Sequence, residues 1–397
     1  MSGVAVARND AMVVGSIGFA HGASHFFQLV LPPLFPVVKE ALDVGYTELG
    51  LVMAVFFAVS GVAQIAAGFL VDRLGAERVL PAGVALCGAA TILAGLAPSV
   101  WALLPFAVIA GLGNSVFHPC DYAILSARVT PTRMARAYSV HSIMGTLGWA
   151  AAPVTMIGLS EALGWRAALI AVGIAGLAIA AALALAKGRL AVPLHPAPTG
   201  GSKADWRLLT AAPILSCFAY FTLLSVAQGG TQNFLPTLLP LTQAVSYAFA
   251  ASATTLYLIG SAAGSLAGGV VADRTPHHAR IVGAGLAGAG LLTLVLGYVA
   301  LPATLLLAIV ASTGFLTGTT TPSRDMLVRA ATPKESTGKV FGFVYSGLDL
   351  GSVVAPLAIG VLLDTGRAPL VFGLMAAALV ATIASAFVVK RQVTVPA

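Results

Sequence analysis

His21 and His25 stand four residues apart, and Gln28 continues the stripe. On a helix, positions i and i+4 lie on one face. Imidazole changes charge in the working range of pH and also ligates metals. A second group is Asn114, His118, Asp121 and Tyr122. His118 reads either as a titrating group on a cavity wall or as the partner of a carbonyl freed by Pro119. Asp121 reads either as a proton carrier or as the ion-pair partner of Arg73 or Arg78. A third group is Arg324 and Asp325, after Thr317, Thr319, Thr320 and Thr321. Helix neighbours point about 100° apart, so the two are expected to address different partners, Arg324 a cavity and Asp325 a gate. A guanidinium keeps its charge and grips a carboxylate with two bonds. Tyr345 and Asp349 share another face; a buried carboxylate there exchanges protons unless Arg324 pairs with it. Tyr220, Gln228, Gln232 and Asn233 form a polar set, and His141 is a weaker candidate standing alone.

The elements that hold these groups are apolar. Of 397 residues, 58% are hydrophobic and only 9% are Asp, Glu, Lys or Arg, with mean hydropathy +0.95. A soluble domain carries roughly 25% charged residues. A soluble enzyme, a disordered chain and a coiled coil are excluded. An outer-membrane barrel would alternate apolar and polar residues over strands of roughly 10, and this chain does not. An all-α polytopic membrane protein remains. Windows near the length needed to cross a bilayer fall at 12–34, 47–71, 79–97, 101–127, 137–160, 165–187, 209–235, 247–271, 279–299, 303–328, 340–362 and 367–389. The groups above lie inside these windows, where ionisable side chains are costly and therefore functional candidates.

The net charge of +7 does not point to nucleic acid, because the basic residues occupy short gaps between spans. Alternate gaps hold Arg8, Arg73, Arg78, Arg128, Arg133, Arg136, Lys187, Arg189, Lys203, Arg207, Arg274, Arg280, Arg329, Lys334, Lys339, Lys390 and Arg391. The opposite gaps hold only Lys39, Arg166 and Arg367. The positive-inside rule then places both termini in the cytoplasm and the protein in the inner membrane. Arg8 followed by an apolar stretch without a convincing cleavage site reads as an uncleaved first helix. Cys87, Cys120 and Cys217 sit within apolar stretches without CxxC spacing. No disulfide framework is expected.

A Pro- and Gly-rich polar stretch separates six spans from six. The expected domains are an N-terminal bundle over 1–187, a cytoplasmic linker over 188–208 and a C-terminal bundle over 209–397. The halves repeat. Gly68 with Asp72-Arg73 is answered by Gly269 with Asp273-Arg274 at an offset of 201; His118-Pro119 is answered by Thr321-Pro322, and Pro153 by Pro356, at 203. Two homologous bundles imply a pathway between them.

The Gly68–Arg78 loop, GxxxDRxGxxR, resembles the signature loop of the major facilitator superfamily, with a weaker echo in the second half. Ala76 and Glu77 depart from its fuller pattern, where basic residues are common. Asn114–Pro119, the basic loop after it and the Gly-rich fifth span resemble the fosmidomycin-resistance-like branch. The resemblance implies twelve helices in two pseudo-symmetric six-helix bundles, with spans 1, 4, 7 and 10 lining a cavity. It implies a gate of Gly68, Asp72, Arg73, Arg78, Asp273, Arg274 and Asp325. The glycine is expected to let helices approach closely. The charges are expected to pair across the gate and with helix dipoles.

The function expected is secondary transport of a small organic solute by alternating access. The expected substrate site is His21, His25, Gln28, Asn114, His118, Tyr220, Gln228, Arg324 and Tyr345. His118, Asp121 and Asp349 are the proton-coupling candidates. The histidines and Arg324 favour an organic anion; a cation exporter would favour acids and aromatics. Two alternatives are a multidrug exporter and a divalent metal carrier using His21, His25 and His118. No nucleotide-binding loop, nucleophile–base set or large soluble domain is apparent, which argues against an ATP-driven pump, an enzyme and a receptor. No cofactor or resident metal is expected. The partners expected are a small solute, protons and the lipid bilayer, for a chain acting as a monomer. Gly260, Gly264 and Gly268, and the pair Gly347 and Gly351, have the spacing of close helix packing.

Overall fold

The computed structural model describes residues 3–130, 133–191, 209–331 and 337–394. Among them there is no strand. The first helices are α1 (Gly3–Gln28), α2 (Phe35–Leu42), α3 (Tyr46–Leu74), α4 (Ala76–Leu96), α5 (Leu103–Asn114), α6 (Phe117–Arg128), α7 (Met134–Leu163), α8 (Trp165–Leu185) and the short α9 (Lys187–Leu190). Then follow α10 (Ala212–Gln243), α11 (Tyr247–Asp273), α12 (His278–Tyr298), α13 (Ala303–Thr319), α14 (Thr321–Ala331), α15 (Thr337–Asp364) and α16 (Ala368–Thr394). Helix is the form in which a lone segment satisfies its own backbone inside lipid. Eleven described helical segments are long and apolar enough to cross a membrane. α1 is not among them by composition, although its 26 residues reach about 39 Å. Its shortfall lies largely in its functional candidates, for His21, His25 and Gln28 dilute its apolar content.

The windows at 101–127 and 303–328, each expected as one span, are both built from two helices. In the first, α5 ends at Asn114 and α6 begins at Phe117. Pro119 has no N–H to give the Ser115 carbonyl, and its ring crowds that position. The Ser115 hydroxyl donates to the Leu112 carbonyl at 2.7 Å. In the second, α13 ends at Thr319 and α14 begins at Thr321, with Pro322 in its first turn. The Thr320 hydroxyl donates to the Thr317 carbonyl at 2.7 Å. Pro119 and Pro322 stand at the repeat offset of 203, and a hydroxyl-to-carbonyl bond accompanies each break.

The chain divides into two compact units, Met1–Val44 with Val55–Gly200, and Gly45–Ala54 with Gly201–Ala397. Inside the first, α1 packs on α7 and α4 on α5 and α8. A Cβ at Gly22 would lie 2.8 Å from the Met144 carbonyl oxygen, and one at Gly148 would strike the Gly22 backbone. Small residues bring α1 and α7 into near backbone contact. Inside the second unit, α11 lies against α13. Gly260, Gly264 and Gly268 face the carbonyls of Ala311, Phe315 and Thr319, while Gly314 and Gly318 face those of Tyr257 and Ser261. Gly347 and Gly351 do the same on α15 against Phe218 and Thr222 of α10. These glycines have the packing role their spacing indicates. Among the described residues, no atom lies within 4 Å of where a Cβ would stand at Gly68 or Gly269. Both positions, near the ends of α3 and α11, face open space.

Candidate functional site

The first unit holds a continuous polar core built from α1, α6 and α7. The close seam between α1 and α7 carries its histidines. A Cβ on Gly145 would lie 2.8 Å from both His21 Cδ2 and His25 Nδ1, so the bare glycine leaves room for both rings. The i, i+4 spacing places the two imidazoles together as expected, with centroids 4.4 Å apart. Their partners differ. His25 stacks on Trp149 of α7 at 4.0 Å. His21 stacks on His141 of the same helix at 3.6 Å, with an interplanar angle of 24°.

Asp121 reaches this pair from α6. Its Oδ2 stands 3.0 Å from His21 Nδ1 and 2.9 Å from His141 Nε2. The carboxylate is wholly buried, and both rings are nearly so. His141 Nε2 hydrogen-bonds this oxygen, while His21 Nδ1 approaches it at ion-pair distance without completing a hydrogen bond, and both contacts lie in a medium of low dielectric. The alternative of Asp121 pairing with Arg73 or Arg78 is therefore not what this conformation shows. His118 lies at the margin, its ring 5.2 Å from His21 and stacked over Tyr122 at 6.0 Å. Both His118 and Tyr122 are exposed. Among the described residues, His118 makes no hydrogen bond to the carbonyl freed by Pro119.

An amide relay continues from the histidines. Trp149 Nε1 donates to Gln28 Oε1 at 3.0 Å, and Gln28 Nε2 donates to Asn114 Oδ1 at 3.0 Å. Asn114 Nδ2 donates to the Ser60 hydroxyl at 2.8 Å. Each amide spends its oxygen and its nitrogen on different helices, which fixes both flips. The expected metal set is rearranged, since the imidazole nitrogens lying within 4.8 Å of one another belong to His21, His118 and His141. His25 is drawn away to Trp149. Asp121 Oδ2 lies against two of these rings, at His21 Nδ1 and His141 Nε2.

The second unit has a separate charged site. Arg324 Nε donates to Asp325 Oδ1 at 2.9 Å, and the Tyr345 hydroxyl donates to the same oxygen at 3.1 Å. The guanidinium lies 4.7 Å over the Phe221 ring. This corrects the expectation that Arg324 and Asp325 address different partners. The long arginine chain folds back across the 100° between neighbours, which a shorter cation cannot do. The alternative of an Arg324–Asp349 pair is not realised. Asp349 is half-buried and forms no ion pair among the described residues. Tyr220 is buried beside Phe221. Gln228 and Gln232 are half-buried, and Asn233 Nδ2 donates to the Gly229 carbonyl one turn back at 2.9 Å.

Of the expected gate, the side chains of Asp72 and Asp273 lie outside the described residues. Arg73, Arg78 and Arg274 are exposed. The sequence reading underrated His141, and it missed Ser60, Gly145 and Trp149 altogether. His141 has a faint signal. It stands five residues after Arg136, and Asp121 stands seven before Arg128. Two antiparallel spans leaving one short basic loop hold such residues at similar depth.

Comparison with known proteins places this architecture. The chain is 24% identical over 143 residues to the "Probable L-galactonate transporter" of Escherichia coli (strain K12), covering 36% of this chain and 32% of that protein. It is 24% identical over 148 residues to the "Fosmidomycin resistance protein" of the same strain, covering 37% and 36%. The chain thus spans about a third of the length of these curated relatives. The backbone superposes on the crystal structure of a bacterial homologue of the human lysosomal transporter Spinster with TM-score 0.76 at 17% identity, covering 96% of this chain and 97% of that one. The model of the "Major Facilitator Superfamily" matches residues 17–243 and again 220–396. This multi-pass membrane protein, with a broken helix at the same place in each half, therefore belongs to the Major Facilitator Superfamily.

Proposed function

We propose that this protein is a secondary transporter that carries a small organic anion across the inner membrane by alternating access, coupled to protons. One observation carries the coupling: Asp121, wholly buried in a membrane-spanning helix, is bracketed by two imidazoles at 3.0 and 2.9 Å. A charge in that setting is expensive, and its partners are the side chains that most readily gain and lose protons near neutral pH. His118 is the exposed member of the group. Asp349, half-buried in α15, is a second candidate for proton coupling. For the anion, Arg324 offers a permanent cation flanked by Phe221 and Tyr345. Within the first unit, His21, His25, Gln28 and Asn114 are the substrate-binding candidates. The name of the L-galactonate relative is in keeping with a carboxylate substrate. Gly68, Asp72, Arg73, Arg78, Asp273 and Arg274 act as the gate in this reading.

Proteoliposomes loaded with a panel of labelled organic anions and cations test it. An anion should exchange in counterflow and accumulate along an imposed proton gradient. Asp121→Asn should abolish gradient-driven accumulation and leave counterflow largely intact. Preference for cations, or accumulation indifferent to the gradient in the unmodified protein, rejects the mechanism.

A further inference from the structure

We propose that His21, Asp121 and His141 form one site that holds a single proton, so that the N-terminal bundle contributes one proton, not two, to each transport cycle. The count per cycle rests on the transporter reading; the site itself does not. The hydrogen bond to Asp121 Oδ2 requires that His141 Nε2 carry hydrogen, while His21 Nδ1 stands 3.0 Å from the same oxygen without completing one. Both rings can be neutral in this arrangement. The site then has a net charge of −1 and no permanent cation beside it, because the ion pairs of Asp121 among the described residues are with these two rings. The group is buried in a span, so the uncompensated charge is disfavoured.

One added proton removes that charge. It binds an imidazole nitrogen of His21 or His141 that lacks hydrogen, and leaves an imidazolium–carboxylate pair of net charge zero. A second proton would place two cations in rings stacked at 3.6 Å and 24°, with one carboxylate between them. Like charges at that separation in a low-dielectric interior repel strongly. The stacking therefore sets the count, and Asp121 sets the sign. The other titratable groups facing the site do not alter it. His25 on α1, His118, Cys120 and Tyr122 on α6, and Tyr138 on α7 carry no permanent positive charge. Glu77 on α4 adds only a more distant negative one. His118, exposed and one ring away from His21, is the path by which the proton reaches the site.

The test uses the full-length protein in lipid nanodiscs, labelled with 15N-histidine, without substrate or gradient. Histidine 15N spectra and carboxylate infrared bands are followed across about pH 5 to 8, the range in which histidine changes charge. His21 and His141, assigned by the variants, should shift together in one transition whose summed amplitude is one proton. In His141→Asn the remaining His21–Asp121 pair should still take up one proton. In Asp121→Asn that uptake should disappear from the range. Two rings that each reach full imidazolium overturn the proposal, as does uptake unchanged in Asp121→Asn. One-proton uptake in a protein that fails to drive accumulation supports this site and rejects the coupling reading, so the two failures are distinguishable.

Discussion

Arg324 shows how one side chain can hold a charge inside a membrane protein. Its guanidinium has five N–H donors in a planar fork. The Nε donates to Asp325, and the plane lies over Phe221. In the reading as substrate site, the remaining N–H groups of the fork meet the substrate carboxylate. Removing such an interaction costs about 1.5–3 kcal/mol, or about 10- to 150-fold in affinity. Arg324→Ala should weaken anion binding by roughly that factor at every pH tested, because the guanidinium does not deprotonate. Arg324→Lys should recover only part of the loss, since it keeps the charge without the fork. Equal affinities of the three proteins in a scintillation proximity assay would remove Arg324 from the substrate site. His21 and His25 make the complementary point. Their shared face was legible from spacing, but their separate partners depend on α6 and α7, which sequence does not align.

At the scale of elements, the decisive feature is the α1–α7 seam. Gly22, Gly145 and Gly148 allow the backbones to meet, and Gly145 also makes room for two rings. Those rings cannot easily retreat, because one stacks on His141 and the other on Trp149. Overpacking of this kind costs typically about 1–3 kcal/mol. Gly145→Ala should lower the melting temperature and impair proton-driven accumulation. Gly158→Ala on the same helix is the control. No described atom lies within 4 Å of its added Cβ, and alanine favours helix over glycine by roughly 0.5–1 kcal/mol. That variant should melt no lower than the parent protein. If Gly145→Ala is equally stable and active, the seam does not set the geometry of the site. The breaks at Pro119 and Pro322 belong to this scale too. Each was visible as a proline in an apolar run, yet the length of each half-helix required the structure.

For the whole molecule, the seventeen Lys and Arg residues on one set of gaps against three on the other are the basis for orientation. Both termini should face the cytoplasm. A reporter pair of alkaline phosphatase and green fluorescent protein fused at the C-terminus checks this. Fluorescence without phosphatase activity is the expected outcome, and the reverse would invert the topology. The 201- to 203-residue repeat is equally a property of the whole chain, and it reappears as the paired helix breaks. The chemistry does not repeat. The first unit has a His–Asp–His core, while the second has an arginine held by a neighbouring aspartate. Homologous bundles thus carry unlike groups, a carboxylate between two imidazoles in one and a permanent cation in the other.

Class, span number and repeat were determined by the sequence alone, because hydropathy and proline, glycine and charge placement are properties of local windows. The shared face of His21 and His25 was determined in the same way, by helical period. What only the tertiary structure decided is who meets whom. Asp121 had several possible partners within reach of its depth, and backbone packing selected His21 and His141 over Arg73 and Arg78. Arg324 turned to its own neighbour because its long chain can bend, a freedom that average helical angles do not register. Pairings between helices depend on axial shifts of a few ångströms and on which rotamers a glycine leaves open, and neither quantity is written in any one window of the chain.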